Sequence, residues 1–515
     1  MHHTTPARKI ARRLAAAARW TAGAILCACA AAADWPLYRG PAGDGVTAER
    51  IRTNWTAHPP QLLWRTPLTN GLSSVTVSAG RVFTQVRTGG ILDGTEHCVA
   101  LDARTGQILW TAPVDLARYP DGGVGADDGP RSTPVVRDGR VYVLGSYLKL
   151  HCLDAATSAP VWSRDLRADF GGNVIAWQNA ASPLLEGDLL FVNLNAGTQR
   201  LAAFRLSDGS LVWRRHNDAM THATPIAATL AGVRQVIFLT QTGLVAVNPA
   251  DGALLWRFAP LPYSTSIAAN PVVESNVVFY SGAYSMGAAA ARITASGGNL
   301  SAQTLMGRRS SRMIHWSTPV AVGRYLYGLF GQTSGQLRCL DLQNNGDYTW
   351  QGPEFGPGAL LLVDGKILVA AADGQIVLVE PDPAQYREIT RFRATDGRIW
   401  NSPALSDGVL YVRATTELAA FHVAPPPLPP PLRLSARWDP ATARLVFTAA
   451  HPDGLPVDPA RAPRLSLRAS TDLAQPRAAW TPVPVTWAPV GGVLQAELTP
   501  TPDVPARFFC VAEMP

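Results

Sequence analysis

The sequence predicts an all-β chain, an eight-bladed β-propeller followed by a small C-terminal β-sandwich, and three observations carry that expectation. First, a frame of an acid, a glycine four residues on and a tryptophan four beyond it recurs. Asp102, Gly106 and Trp110 return as Asp154, Ser158 and Trp162, as Arg205, Gly209 and Trp213, as Asn248, Gly252 and Trp256, and, one residue longer, from Asp341 to Trp350. These tryptophans stand 52, 51, 43 and 94 residues apart, so the last gap holds two repeats whose signature has decayed. A period in the forties built from hairpins means a propeller blade or a similar array. Second, tight turns between β-rich runs sit at Ala79-Gly80, Asp138-Gly139, Glu186-Gly187, Ala231-Gly232, Ser275-Asn276, Val322-Gly323, Asp364-Gly365 and Asp407-Gly408. Two hairpins per repeat give four strands, and eight such turns give eight blades. Third, beyond residue 424 the pattern changes to short alternating strands between Pro- and Asp-rich turns, which suits a small sandwich.

In chain order, residues 1–33 read as a processing segment. Arg8, Lys9, Arg12, Arg13 and Arg19 precede an alanine-rich apolar stretch, and small residues end it, as in a secretory signal peptide. Export to the periplasm or the exterior follows, by the Sec route or, through Arg12-Arg13, the twin-arginine route. A lipid anchor at Cys29 is left open as well. Without these five cations the net charge falls from +7 to +2. The remaining arginines are scattered, so no nucleic-acid-binding stripe is expected. No apolar run after the N-terminus is long enough to span a bilayer.

Residues 34–60 form a Gly- and Pro-punctuated leader, expected on the propeller surface. Residues 61–424 are the propeller. Its last repeat supplies only three strands before the chain meets proline, while residues 61–66 read as a fourth strand with nothing before it to pair with. Joining the two ends closes the ring and removes an exposed sheet edge. Residues 425–431 are a polyproline linker and residues 432–515 the sandwich. Cys98, Cys152, Cys339 and Cys510 fall in separate repeats or domains, and no disulfide framework is expected. The chain is expected to act as a monomer.

The Leu-Asp-x-x-Thr-Gly-x-x-x-Trp pattern at 101–110, with Ser/Thr-Pro openings of inner strands at Pro134, Pro183, Pro225, Pro271, Pro319 and Pro403, resembles the PQQ-like β-propeller repeat. The resemblance covers about residues 60–424. It implies the fold but not one function, since the repeat is shared by quinoprotein dehydrogenases and by non-catalytic scaffolds such as the propeller lipoprotein of the outer-membrane β-barrel assembly machinery. The dehydrogenases hold pyrroloquinoline quinone and calcium, and many carry adjacent cysteines. Beyond the N-terminal segment this chain has no adjacent cysteines. Only Asp127, Asp128 and Asp218 lie near the expected channel, and calcium prefers several carboxylate and carbonyl oxygens.

The segments entering the inner strands carry Arg131, Asn179, His222, Asn270, His315 and Asn401, with Trp177, Trp316 and Trp400 beside them. On the functional reading these nine residues converge, partly open to solvent, around one channel mouth, where aromatic and amide groups suit a sugar or a peptide. On the structural reading the histidines cap strand ends and the tryptophans pack between blades. The favoured expectation is a non-catalytic exported propeller, without cofactor, that binds a protein or carbohydrate partner at that mouth. The alternative is a dehydrogenase dependent on pyrroloquinoline quinone and calcium.

Overall fold

The structure, a computed structural model, describes residues 34–425 apart from 122, 124, 264 and 265, and residues 432–513 apart from 453, 473 and 500–507. The processing segment 1–33 and most of the polyproline run lie outside the described residues. The chain is all-β and divides into two compact units at Pro425.

The first unit is built from antiparallel sheets of four strands, the architecture of a β-propeller. The first sheet runs Thr76–Ser78, Arg81–Thr88, Gly94–Asp102 and Ile108–Ala117. Six more follow in sequence over residues 135–165, 184–215, 226–258, 272–309, 320–354 and 359–393. The eighth sheet takes Ala404–Ser406, Val409–Ala414 and Glu417–His422, and its outer strand is Gln61–Pro67, paired with Glu417–His422. The expected closure by residues 61–66 is therefore present.

The eight inner hairpins fall where the sequence puts them because each turn needs at least one residue at φ > 0, and five of the eight need two. Asp138 and Gly139 have φ of 49° and 70°, and Ala79-Gly80, Ala231-Gly232, Asp364-Gly365 and Asp407-Gly408 share the pattern of a type I′ turn. Hydrophobic cores lie between successive sheets. One joins Phe191 and Ala203 of the third to Val236 and Val245 of the fourth. Another joins the seventh, eighth and first, through Leu368, Leu410 and Val82.

The repeated frame is a latch between neighbouring sheets. Asp102 Oδ1 accepts from the Arg104 and Thr105 N–H groups and so shapes the turn. The tryptophan of one sheet then donates its indole N–H to a carbonyl at the next sheet's turn: Trp64 to Ala103, Trp110 to Ala155, Trp162 to Leu206, Trp213 to Pro249 and Trp350 to Asp382, at 2.8–3.1 Å. Trp256 departs from the series and donates to Gln235 of its own sheet. The following sheet carries a long hairpin, Gly287–Ser296 with Asn299–Arg309, in place of the motif. Trp213 and Trp256 are buried, whereas Trp110 and Trp162 are only half-buried, less than the sequence led us to expect. They lie on outermost strands, where one side of the ring meets solvent.

A second set of bonds ties the inner ends together. Five residues before each hairpin turn in most sheets stands a Ser, Thr or Asn whose side chain accepts the N–H of its counterpart in the preceding sheet. Ser402 donates to Ser74, Ser74 to Thr133, Thr133 to Ser182, Ser182 to Thr224, Thr224 to Asn270 and Asn270 to Thr318, all at 2.9–3.1 Å. Proline follows six of these seven residues, which explains the Ser/Thr-Pro signature. The seventh sheet has Ala359 at that place, so the relay stops there.

The leader corrects one expectation. Its first residues do not lie on the surface but pack against the inner strands: Trp35 bridges Val77 of the first inner strand and is 1% exposed. Pro36 accepts from the Val136 N–H, and Val46–Thr47 pair in parallel with Leu362 and Val363 of the seventh inner strand. At the tip of the insertion the Arg39 guanidinium, fully buried, donates to the carbonyls of Leu360, Asp44 and Pro319. It thus bridges the sixth and seventh sheets where the hydroxyl relay is missing. The surface reading failed because an irregular Gly-rich segment has no periodicity to mark its buried side.

In the second unit Arg433–Asp439, Arg444–Ala450, Val493–Leu498 and Ala488–Val490 form one sheet, and Thr481–Val483, Leu465–Ser470 and Phe508–Glu513 another. Phe447, Leu467, Trp487 and Leu494 are buried in a core to which both contribute.

Candidate functional site

The two hairpins of a sheet meet on one face, since Ala103 N–H donates to Gly80 O and Ala155 N–H to Gly139 O. That face has short turns. The opposite face collects the links between sheets and the middle loops, and there a cavity of about 480 Å³ opens. Tyr38 and Arg39 of the inserted leader are among the residues that line it.

Of the nine residues expected at this mouth, seven line the cavity: Arg131, Trp177, His222, His315, Trp316, Trp400 and Asn401. Asn179 and Asn270 do not. Asn179 is fully buried and its amide donates to the carbonyls of Gly145 and Ala181. Asn270 serves the relay, its Oδ1 accepting from Thr224. For these two the structural reading holds, because a short amide at the root of a strand reaches backbone before it reaches the channel. His222 and Asn401 line the cavity but are buried as well, at 5% and 6% exposure, against the expectation of open side chains. The other five are partly exposed.

An aromatic wall runs along one side. Tyr284 meets His315 edge-on with ring centroids 5.2 Å apart, His315 lies 4.2 Å from Trp316, and Trp316 lies 4.6 Å from Trp400. The Arg398 guanidinium sits 4.8 Å over the Trp400 ring. Trp316 is fixed by its indole N–H, which donates to Pro357 O at 2.6 Å. Tyr284 and Gln332, both on middle loops, were missed as residues, although loop 281–288 stands out in the sequence by its length. Tyr38 was missed with the leader.

Trp177 enters from the link between the second and third sheets. Its backbone takes φ = +59°, and that of Gln178 +57°, in the left-handed region that a bulky residue seldom occupies. The insertion after the first sheet holds it there. Asp121 Oδ2 accepts from Trp177 N–H at 2.9 Å and from the Gln178 amide at 2.8 Å. Arg131 donates to Trp177 O at 2.9 Å and is itself gripped by both oxygens of the buried Asp128 at 2.7 and 2.9 Å.

The site is poor in charge. Among the described residues no Asp or Glu lines the cavity; the Arg131 charge is met by Asp128, and the Arg39 guanidinium meets backbone carbonyls alone. Burial lowers the His222 imidazole to about 4, and burial also lowers that of His315, so both are neutral at pH 7. His222 Nε2 donates to Ala176 O at 2.9 Å.

The family model described as outer membrane protein assembly factor BamB matches residues 94–351, half of the chain. The chain belongs to this family. Among curated relatives, the BamB of Shewanella oneidensis is 28% identical over 157 residues, 30% of this chain and 36% of that protein. The quinoprotein alcohol dehydrogenase PedH of Pseudomonas putida is also 28% identical, over 137 residues, 25% of this chain and 22% of its own length. The matches thus span about a third or less of these relatives. Among solved structures, a quinohemoprotein alcohol dehydrogenase from Comamonas testosteroni aligns over 80% of this chain and 84% of its own with a TM-score of 0.53 at 14% identity, a likeness of fold. BamB from Moraxella catarrhalis aligns over 70% and 97% with a TM-score of 0.48 at 16% identity. Family membership therefore brings together assembly factors and quinoproteins. No described helix is long and apolar enough to cross a membrane.

Proposed function

We propose that the chain is an exported, non-catalytic eight-bladed propeller with a C-terminal β-sandwich, and that it binds a protein or glycan partner at the mouth opposite the short turns. The observation that supports this reading most is the cavity, walled by Tyr284, His315, Trp316, Trp400 and Trp177 and lined, among the described residues, by no carboxylate. A concave, mostly apolar site with a few convergent polar groups is what ligand recognition asks for. Export accords with the basic and alanine-rich segment 1–33 and with a BamB relative whose name places it at the outer membrane.

The quinoprotein relative favours a second reading, a dehydrogenase holding pyrroloquinoline quinone and calcium. The donor set does not fit it. Calcium takes six to eight oxygen ligands, several of them carboxylates. Here the nearest candidates are engaged elsewhere: Asp128 by Arg131 and Asp218 by Arg257. Among the described residues no group of three or more His, Cys, Asp or Glu could hold a metal ion.

Two measurements test the proposal. Incubation with the quinone and calcium should neither raise the melting temperature nor give dye-linked oxidation of alcohols, and turnover would establish the second reading. Hydrogen exchange of segments 314–317 and 398–402 should slow when a cell-envelope extract is added. If neither a deproteinised nor a glycan-stripped extract protects them, the mouth is not the binding surface.

A further inference from the structure

Two of the cavity's tryptophans differ from those of the blades in a way that points to a ligand. Each latch tryptophan, and Trp316, spends its indole N–H on a backbone carbonyl. The indoles of Trp177 and Trp400 make no hydrogen bond within the described residues, and both rings are partly open to the cavity they line. Trp177 is also held in a left-handed backbone by contacts from two other segments, Asp121 to its N–H and Arg131 to its carbonyl. A strained residue persists only where its surroundings over-determine it, and such positions gather at ligand clamps.

We infer that the cavity takes the end of a neutral, gluco-configured saccharide, gripped between Trp177 on one side and Trp316 with Trp400 on the other, and that Asp121 and Arg131 are positioning residues for Trp177. The inference rests on the mouth being the binding site. In the ring of eight sheets, Trp177 enters between the second and third, while Trp316 and Trp400 enter between the fifth and sixth and between the seventh and eighth. The two walls therefore face each other across the cavity. A pyranose with equatorial hydroxyls presents C–H groups on both faces and hydroxyls around its edge, so it can stack on two aromatic walls and hydrogen-bond sideways. The edge groups are present: Ser266, Thr333 and Gln332 line the cavity, and the free indole N–H groups add donors.

Charge and backbone weigh against the nearest competitors. An anionic ligand needs a cation free to meet it, but Arg131 is paired with Asp128, and the Arg39 guanidinium, which has no carboxylate partner, spends its terminal donors on three backbone carbonyls. A cationic ligand would need a carboxylate, and among the described residues none lines the cavity. One way an extended peptide docks is by pairing with a free sheet edge. Here the N–H groups at the roots of the inner strands are already taken by the relay of Ser, Thr and Asn side chains.

The test is calorimetric titration of the full exported chain with cellobiose and N,N′-diacetylchitobiose, beside galactobiose, glucuronate and tetra-alanine. The two gluco-configured disaccharides should bind, with affinities between roughly micromolar and millimolar, and the other three should not. Trp177→Ala and Trp400→Ala should each weaken binding about tenfold or more, and Trp400→Phe, which keeps the ring and removes the N–H, should weaken it less. Asp121→Ala should lower saccharide affinity and alter the near-ultraviolet dichroism of tryptophan while the melting temperature stays put; a fall in stability with affinity intact would make Asp121 merely structural. Asp121→Asn, which keeps one acceptor, should recover part of the affinity. Absence of heat with both disaccharides, or binding unchanged in the Trp177 and Trp400 variants, overturns the saccharide assignment. Binding of glucuronate or the peptide instead overturns the ligand class. In either case protection of segments 314–317 and 398–402 by envelope extract would show that the mouth still binds a partner, so the two readings fail separately.

Discussion

Gly209 and Gly252 show how little the repeat tolerates at its turn. Their φ values are +67° and +71°, and an added Cβ would stand 2.6 Å from the indoles of Trp162 and Trp213. The glycine is thus required twice, for a left-handed backbone and for the flat face of the neighbouring sheet's tryptophan. Gly252→Ala should destabilise by ~2–4 kcal/mol, combining backbone strain with overpacking. Trp213→Ala should cost about 3–5 kcal/mol by opening a cavity in the same contact. Urea unfolding followed by far-ultraviolet dichroism measures both, and a loss below about 1 kcal/mol in either would remove the latch from the account. Glu96 sets a pH dependence. It is fully buried, accepts from Tyr119 and from the Ser146 N–H, and burial raises its carboxyl to about 7 from an ordinary 4.5. The folded state therefore favours the protonated acid. The associated stability is complete below about pH 4.5 and is lost as the pH rises to about 7. Glu96→Gln should flatten that part of the profile, by at most ~3 kcal/mol, when melting is compared between pH 4.5 and 7.

Among the elements the leader is the most consequential. It contributes Trp35 to the first inner strand, a parallel pair to the seventh and the Arg39 bridge between the sixth and seventh. Arg39 ties the sixth and seventh sheets by donating to the carbonyls of Pro319 and Leu360, where Ala359 offers the relay no side-chain acceptor, and burial lowers its guanidinium from the usual value. Arg39→Met, which keeps the length and removes the donors, should strand buried carbonyls and cost ~3 kcal/mol. Proteolysis should then cut within residues 34–60, and resistance equal to that of the native chain would mean the segment is held by Trp35 alone.

For the whole molecule, closure is the governing fact. A core joins the last sheet to the first, and Gln61–Pro67 covers what would otherwise be the open edge of Glu417–His422. A chain lacking residues 34–67 exposes that edge together with the inner ends of two sheets. It should associate on purification and unfold without a single cooperative transition, as judged by light scattering and calorimetry. A soluble, cooperatively melting product would show that the ring does not depend on the strand.

The sequence by itself determined what repeats: the hairpin turns that need positive φ, the tryptophan on six of the eight outer strands, the orphan strand at 61–66 and the links that carry Arg131, Trp177, His222, His315, Trp316, Trp400 and Asn401 to one mouth. Those features are local or periodic, and periodicity survives in a linear text. Only the tertiary structure decided the rest. It packed the start of the aperiodic leader against the inner strands, turned Asn179 and Asn270 to backbone partners, and brought Tyr38, Tyr284 and Gln332 from distant segments into the cavity. It also strained Trp177 against the insertion at 118–131. Each of these depends on which groups become neighbours when the sheets close around one axis, and no spacing along the chain encodes that proximity.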